Sequence, residues 1–101
     1  MEDFEVIISE EIKLKIASDD HGNITRKEIL ECFENHCGKY CQDTRKQHLD
    51  SSGNPSLWFV SETNKGRSLK IMLVMQDGRI YLKSAYPSTE NVRRIYDKYA
   101  K

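Results

Sequence analysis

Asp77-Gly78 constrains this chain more than any other pair of its 101 residues. The dipeptide tolerates the positive φ angles of a tight type I′ turn, and runs rich in Ile, Leu, Val, Met and Tyr flank it on both sides. A two-residue loop there pairs Gln76 with Arg79, and the alternation of side chains across a sheet sets every other pair. Met75 then faces Ile80, Leu73 faces Leu82, Ile71 faces Ser84 and Leu69 faces Tyr86, all on one face. Lys70, Met72 and Val74 share the opposite face with Tyr81, Lys83 and Ala85. The first face reads as core. The second mixes apolar groups with lysines and a tyrosine, and that is where function is expected.

The neighbouring segments supply the rest of a small domain. Phe4 to Ile8 is apolar enough for a short strand or a strapped arm. Ser9 followed by Glu10 and Glu11 opens a helix carrying Ile12 and Ile16, with acidic residues where the helix dipole favours them. His21-Gly22-Asn23 is a break. Thr25 and Glu28 then form a capping box, and Ile24 can staple onto Ile29 or Leu30. A second helix is expected from Arg26 to about Asn35, with Gly38 as its stop. Lys39 to Arg45 reads as a short extended segment, Lys46 to Ser56 as an exposed loop, and Leu57 to Thr63 as a strand. A three-residue turn at Asn64-Lys65-Gly66 places Leu57 and Phe59 on the core face, and Trp58 and Val60 beside Lys70 and Met72. After Pro87, Ser88 or Thr89 caps a last helix whose Val92, Ile95, Tyr96 and Tyr99 are spaced to face inward. The expectation is one α+β domain over residues 1–101: two N-terminal helices, a three- to four-stranded antiparallel sheet and a C-terminal helix, with the helices on one sheet face.

Charge and cysteine content narrow the partners. The formal net charge is zero, which argues against a promiscuous nucleic-acid binder. The halves differ, however: residues 1–50 carry 12 acidic and 7 basic side chains, and residues 51–101 carry 4 and 9. Such asymmetry can hold an anion at one end, and it is equally what a solvated surface shows. No apolar run approaches membrane-spanning length and no leader is visible, so the expected location is cytoplasmic. Cys32, Cys37 and Cys41 are then expected to be reduced. With His36 and His48 they invite a zinc reading, but the spacings match no recognised finger or ribbon, and Cys32 falls on the buried helix face. No metal or other cofactor is assigned. A thiol nucleophile on Cys37 or Cys41 lacks a third, orienting group.

Several residues together carry a resemblance. They are His21-Gly22, Ile24-Thr25, Glu28 and Phe33, Asp43 and Arg45, Trp58, Glu62-Thr63, Gly66-Arg67, Leu69-Lys70, Ser84-Ala85-Tyr86, and Arg94 with Tyr96. From about residue 10 onward this pattern resembles small bacterial proteins related to the BrnT toxins of type II toxin–antitoxin systems, which share the RelE-like fold. Relatives of that kind often carry the label ADP-ribosyl-(dinitrogen reductase) hydrolase. A hydrolase of that description is a larger helical metal enzyme, and this chain lacks its length and its acidic metal ligands. The resemblance implies a compact antiparallel sheet backed by helices, metal-independent cleavage of mRNA, and a small antitoxin as partner. BrnT-like proteins commonly carry Arg where this chain has Tyr86.

RNA cleavage without a metal needs a base near the 2′-hydroxyl, cations for the developing phosphate charge and an acid for the leaving oxygen. The residues assigned to catalysis on this reading are Arg67, Lys83, Tyr86 and Arg94. Trp58, Lys70, Arg79, Tyr81 and His48 are assigned to substrate contact, with Glu62 a further candidate acid or base. Each also has an ordinary role: lysines on an exposed sheet face block edge pairing, and arginines late in a helix answer its dipole. The two expected functions are an endoribonuclease toxin, monomeric or a small homo-oligomer, and a non-catalytic protein- or RNA-binding module of the same fold.

Overall fold

The computed structural model describes residues 5–43 and 56–101. The central hairpin consists of β4 (Ser68–Gln76) and β5 (Arg79–Pro87). Asp77 at φ 53° and Gly78 at φ 76° make the type I′ turn between them. Gln76 pairs with Arg79, Met75 with Ile80 and Leu73 with Leu82, as alternation predicts.

Beyond Leu82 the register changes. Met72 pairs with Ser84, Ile71 with Ala85 and Lys70 with Tyr86, which leaves Lys83 as an extra residue in a β-bulge. The expected Ile71–Ser84 and Leu69–Tyr86 pairs do not form. Desolvation explains why. In an unbulged ladder Lys83 would stand opposite Met72, which is buried together with Val74. An ammonium there would lose its water without gaining a partner. The bulge puts Lys83 in solvent, seats the small Ser84 opposite Met72, and turns Ala85 into the core against Ile71. Tyr86 thereby leaves the first face, where the sequence places it, and joins Lys70 on the second.

The other strands extend the sheet on both sides. β3 (Ser56–Glu62) pairs antiparallel with β4, Phe59 opposite Ile71 and Val60 opposite Lys70. This is the register expected from the turn at Gly66, which has φ 83°. β2 (Cys41–Asp43) pairs antiparallel with the start of β3, Cys41 opposite Trp58. β1 (Val6–Ile7) runs parallel to β5, Val6 opposite Ile80. The order is β1-β5-β4-β3-β2, so the sheet is mixed and five-stranded, not three- to four-stranded and antiparallel. Of the expected loop at Lys46 to Ser56, only Ser56 is among the described residues, and it opens β3.

Two helices cover the first face. α1 (Glu10–Ala17) is capped by Ser9, whose Oγ accepts from the Ile12 N–H at 3.2 Å. α2 (Arg26–Glu34) carries the full capping box: the Glu28 N–H donates to Thr25 Oγ1 at 3.2 Å, and the Thr25 N–H donates to Glu28 Oε1 at 3.1 Å. It stops at Asn35, before Gly38. Ile16, Ile24, Ile29, Cys32 and Phe33 pack with Phe59, Leu69, Ile71, Leu73, Ile80 and Leu82 in one apolar cluster. The Phe33 and Phe59 rings meet edge to face, 5.0 Å apart.

The last helix departs from expectation. α3 (Glu90–Tyr99) is capped by Thr89, but of its apolar stripe only Tyr96 is buried, while Ile95 and Tyr99 are exposed. The Tyr96 ring lies 5.9 Å from that of Trp58, a second-face residue, and its hydroxyl donates to the Lys39 carbonyl at 2.6 Å. Helices therefore contact both sides of the sheet, not one. The first face is already filled by α1 and α2, which leaves the third helix to bury a single aromatic ring on the other side.

Replacing Phe59 by Ala should cost about 3–5 kcal/mol of unfolding free energy, the range for deleting a large buried aromatic. Leu14→Ala, at a side chain 67% exposed on α1, should stay within about 0.5 kcal/mol. Urea titration of the two variants checks which face of α1 and which face of the sheet form the core.

Candidate functional site

The bulge assembles a slot around Lys70. In register, Lys70 on β4 lies between Val60 on β3 and Tyr86 on β5, with Trp58 two residues back along β3. Its Nζ sits 4.6 Å from the centroid of the Trp58 ring and 5.5 Å from that of Tyr86. Cation–π attraction of this kind contributes about 0.5–2 kcal/mol, more as the cation loses water. All three side chains are half-buried. No carboxylate forms an ion pair with Lys70 among the described residues. Cys41 does not neutralise it either: burial pushes that thiol up, against the pull of the Lys70 charge, so it stays protonated. The slot thus holds an ammonium between two rings with no counter-charge among the described residues.

Neighbouring groups fix the rings. The Tyr86 hydroxyl donates to Met72 Sδ at 3.4 Å. The Tyr96 ring lies tilted beside the Trp58 indole. The Ser84 hydroxyl, buried beside Met72, has no hydrogen-bond partner among the described residues.

The other residues expected to act on a substrate are scattered. Arg67 is a clasp: its Nη1 donates to Glu28 Oε2 at 3.0 Å and Oε1 at 3.3 Å, and its Nη2 donates to the Gly22 carbonyl. It ties the turn before β4 to the start of α2 and to the loop after α1. Arg79 stands at the hairpin tip, 3.5 Å from Glu5. Arg94 pairs with Glu90 one helical turn back, in solvent. Lys83 is exposed on the bulge, and Tyr81 lies near the hairpin tip opposite Val74. Glu62 is exposed at the end of β3. His48 lies outside the described residues. Of the residues expected at the site, the structure brings together Trp58, Lys70 and Tyr86.

His21 is the member that sequence reasoning missed. It ends a 3₁₀ turn (Asp19–His21), its Nδ1 is 3.2 Å from the Ala85 carbonyl oxygen, and its ring is 6.0 Å from that of Tyr86. The sequence signal was there in the His-Gly-Asn break, but a break alone does not say which strand it meets. Gly22 has φ 92°, and a Cβ on it would come within 2.7 Å of Pro87 and 2.9 Å of Arg67. Only glycine lets the chain turn so close to the end of β5.

No grouping of three or more His, Cys, Asp or Glu that could hold a metal occurs among the described residues, which include Cys32, His36, Cys37 and Cys41 but not His48. Cys32 is sealed in the core 3.8 Å from the Ser61 carbonyl, and burial pushes its thiol up to about 12. His36 stacks on Phe59 at 3.9 Å and bonds the Lys39 carbonyl through Nε2 at 2.7 Å, so neither thiol has it as a base. Cys37 lies 3.3 Å from the Tyr96 hydroxyl.

Among the described residues no helix is long and apolar enough to cross a membrane. No family model, curated protein or solved structure matches the chain.

The clasp makes a prediction about acid stability. Burial would raise the Glu28 carboxyl, but the Thr25 N–H and the Arg67 guanidinium outweigh it and hold it below the usual carboxylate range. Its contribution is therefore complete above about pH 4.3, the unfolded-chain value, and is lost as pH falls through the lowered folded value. Arg67→Ala should cost about 1.5–3 kcal/mol near neutrality, the range for hydrogen bonds to a charged group. It should also shrink the fall in stability below pH 4.3, as read from thermal melts across the acid range.

Proposed function

We propose that the second sheet face binds single-stranded RNA, in a protein of the RelE/BrnT-like kind. The observation that carries this reading is the Lys70 ammonium, held between Trp58 and Tyr86 without a carboxylate partner among the described residues. A lysine whose role is solubility has no reason to be half-buried between two rings. A phosphate is the partner that such an ammonium lacks, and contact with it releases counterions from the nucleic acid. Tyrosine and tryptophan rings beside a cation are what unstacked bases pack against. The site offers one ammonium between two rings and the chain carries no net charge, so the reading is of a short single strand and not of a duplex lying across a broad basic surface.

Binding is favoured over cleavage as the primary function. Of the four residues assigned to catalysis, Arg67, Arg94 and Lys83 stand apart from the slot, and Tyr86 alone belongs to it. A cytoplasmic location and a small antitoxin covering this face accompany the proposal through the resemblance alone.

Fluorescence anisotropy with a labelled single-stranded RNA tests it. Lys70→Gln should lower the slope of log K against log salt concentration by about 0.7, the value for one lost phosphate contact on a single strand. Tyr86→Leu should weaken binding by roughly 5- to 150-fold, the equivalent of one stacked base. Absence of binding by the unaltered protein, or affinity and salt slope unmoved by Lys70→Gln, contradicts the proposal.

A further inference from the structure

Ile95 and Tyr99 stand one helical turn apart on α3 and are 38% and 59% exposed, although both are large apolar groups. With Gln42, Leu57, Trp58 and Lys101 they line a cleft of about 580 Å³ between the end of α3 and strands β2 and β3. That volume falls within the range of small-ligand sites, about 300–1,000 Å³. Backbone hydrogen bonds fix its walls. The Tyr40 N–H donates to the Lys101 carbonyl at 3.1 Å and the Lys101 N–H donates to the Tyr40 carbonyl at 3.0 Å. The Tyr96 hydroxyl holds the Lys39 carbonyl in the same way, so the end of α3 is tied to the segment that leads into β2. A site already formed loses little conformational freedom when a ring enters it.

The chemistry of the cleft is aromatic and cationic. Trp58 and Tyr99 supply rings and Lys101 an ammonium, and a second ammonium, Lys98 Nζ, lies 5.3 Å from the centroid of the Tyr99 ring. No carboxylate is among the described residues that line it. Trp58 also carries Lys70 Nζ, 4.6 Å from its own ring centroid. One indole therefore borders both the cleft and the slot. An apolar protein side chain would suit the walls but leave the ammoniums unanswered, whereas a nucleotide brings a ring and a phosphate together.

We propose that this cleft receives a purine base of the strand whose phosphate meets Lys70, an inference that rests on the RNA reading above. Adenine and guanine present more ring area to Trp58 and Tyr99 than uracil or cytosine does, and base preferences on aromatic platforms follow stacking strength. Gln42 donates and accepts through its amide, so it can meet the edge of either purine. Selection is thus by ring size and does not separate adenine from guanine. Tyr99, which packing leaves outside the core, acquires a task.

Anisotropy with a labelled oligouridylate and the same strand carrying one central adenine tests the inference. The adenine should tighten binding to the unaltered protein about fivefold or more, the low end of the range for one stacked base. Tyr99→Ala, at a largely exposed side chain, should melt as the unaltered protein does. It should bind the all-uridine strand within about twofold and lose the adenine advantage. Lys70→Gln should lower the salt slope for both strands and keep that advantage, and Leu14→Ala, exposed on α1 outside the cleft, should change neither. Equal binding of the two strands overturns the inference, and a salt slope that still depends on Lys70 then spares the RNA reading. An adenine advantage that survives Tyr99→Ala also overturns it and leaves the α3 wall to a protein side chain. No binding of either strand removes both readings.

Discussion

The cost of drying an ammonium shapes this fold more than any single apolar contact. Lys83 falls where an uninterrupted hairpin would set it against buried Met72, and the chain avoids that by inserting one residue into β5. Because the side-chain period of a strand is two, one inserted residue exchanges the faces of everything after it. Ala85 enters the core, where its small side chain fits beneath Ile71. Tyr86 moves to the second face and meets Lys70. A penalty at one lysine thus builds the environment of another.

The residues around the slot are held by contacts distant in sequence. Trp58 reaches it from β3, backed by Tyr96 from the final helix. His21 reaches it from the loop after α1, whose path is set by Gly22, Pro87, Arg67 and Glu28 together. That loop is held by an ion pair plus a glycine with no room for a Cβ. The sealed thiol of Cys32 and the stacked ring of His36 belong to the first face, where they fill space.

Local chemistry was legible in the residues and tertiary chemistry was not. The Asp77-Gly78 turn, the Thr25–Glu28 capping box and the turn at Gly66 all formed as read, because each is decided within four or five residues. The register of β3 followed from its turn for the same reason. The bulge was not legible, since what expels Lys83 is the burial of Met72, a property of the folded sheet. The two-residue β1 depends wholly on the neighbour it finds in β5. The apolar spacing of α3 suggested a stripe turned inward, yet with the first face occupied the helix buries Tyr96 and leaves Ile95 and Tyr99 in solvent. Sequence places Trp58 and Lys70 on the shared face and Tyr86 on the wrong one, and it reads His21 as part of a break and of the resemblance pattern without giving it a place beside Tyr86.

Proton NMR of the folded protein addresses the bulge and the slot together. The account predicts nuclear Overhauser contacts from the Lys70 terminal methylene to the rings of both Trp58 and Tyr86, with the Ala85 methyl in contact with first-face apolar side chains. A Tyr86 ring showing contacts to those core residues instead, with Lys83 opposite Met72, would mean an unbulged hairpin and would contradict the account.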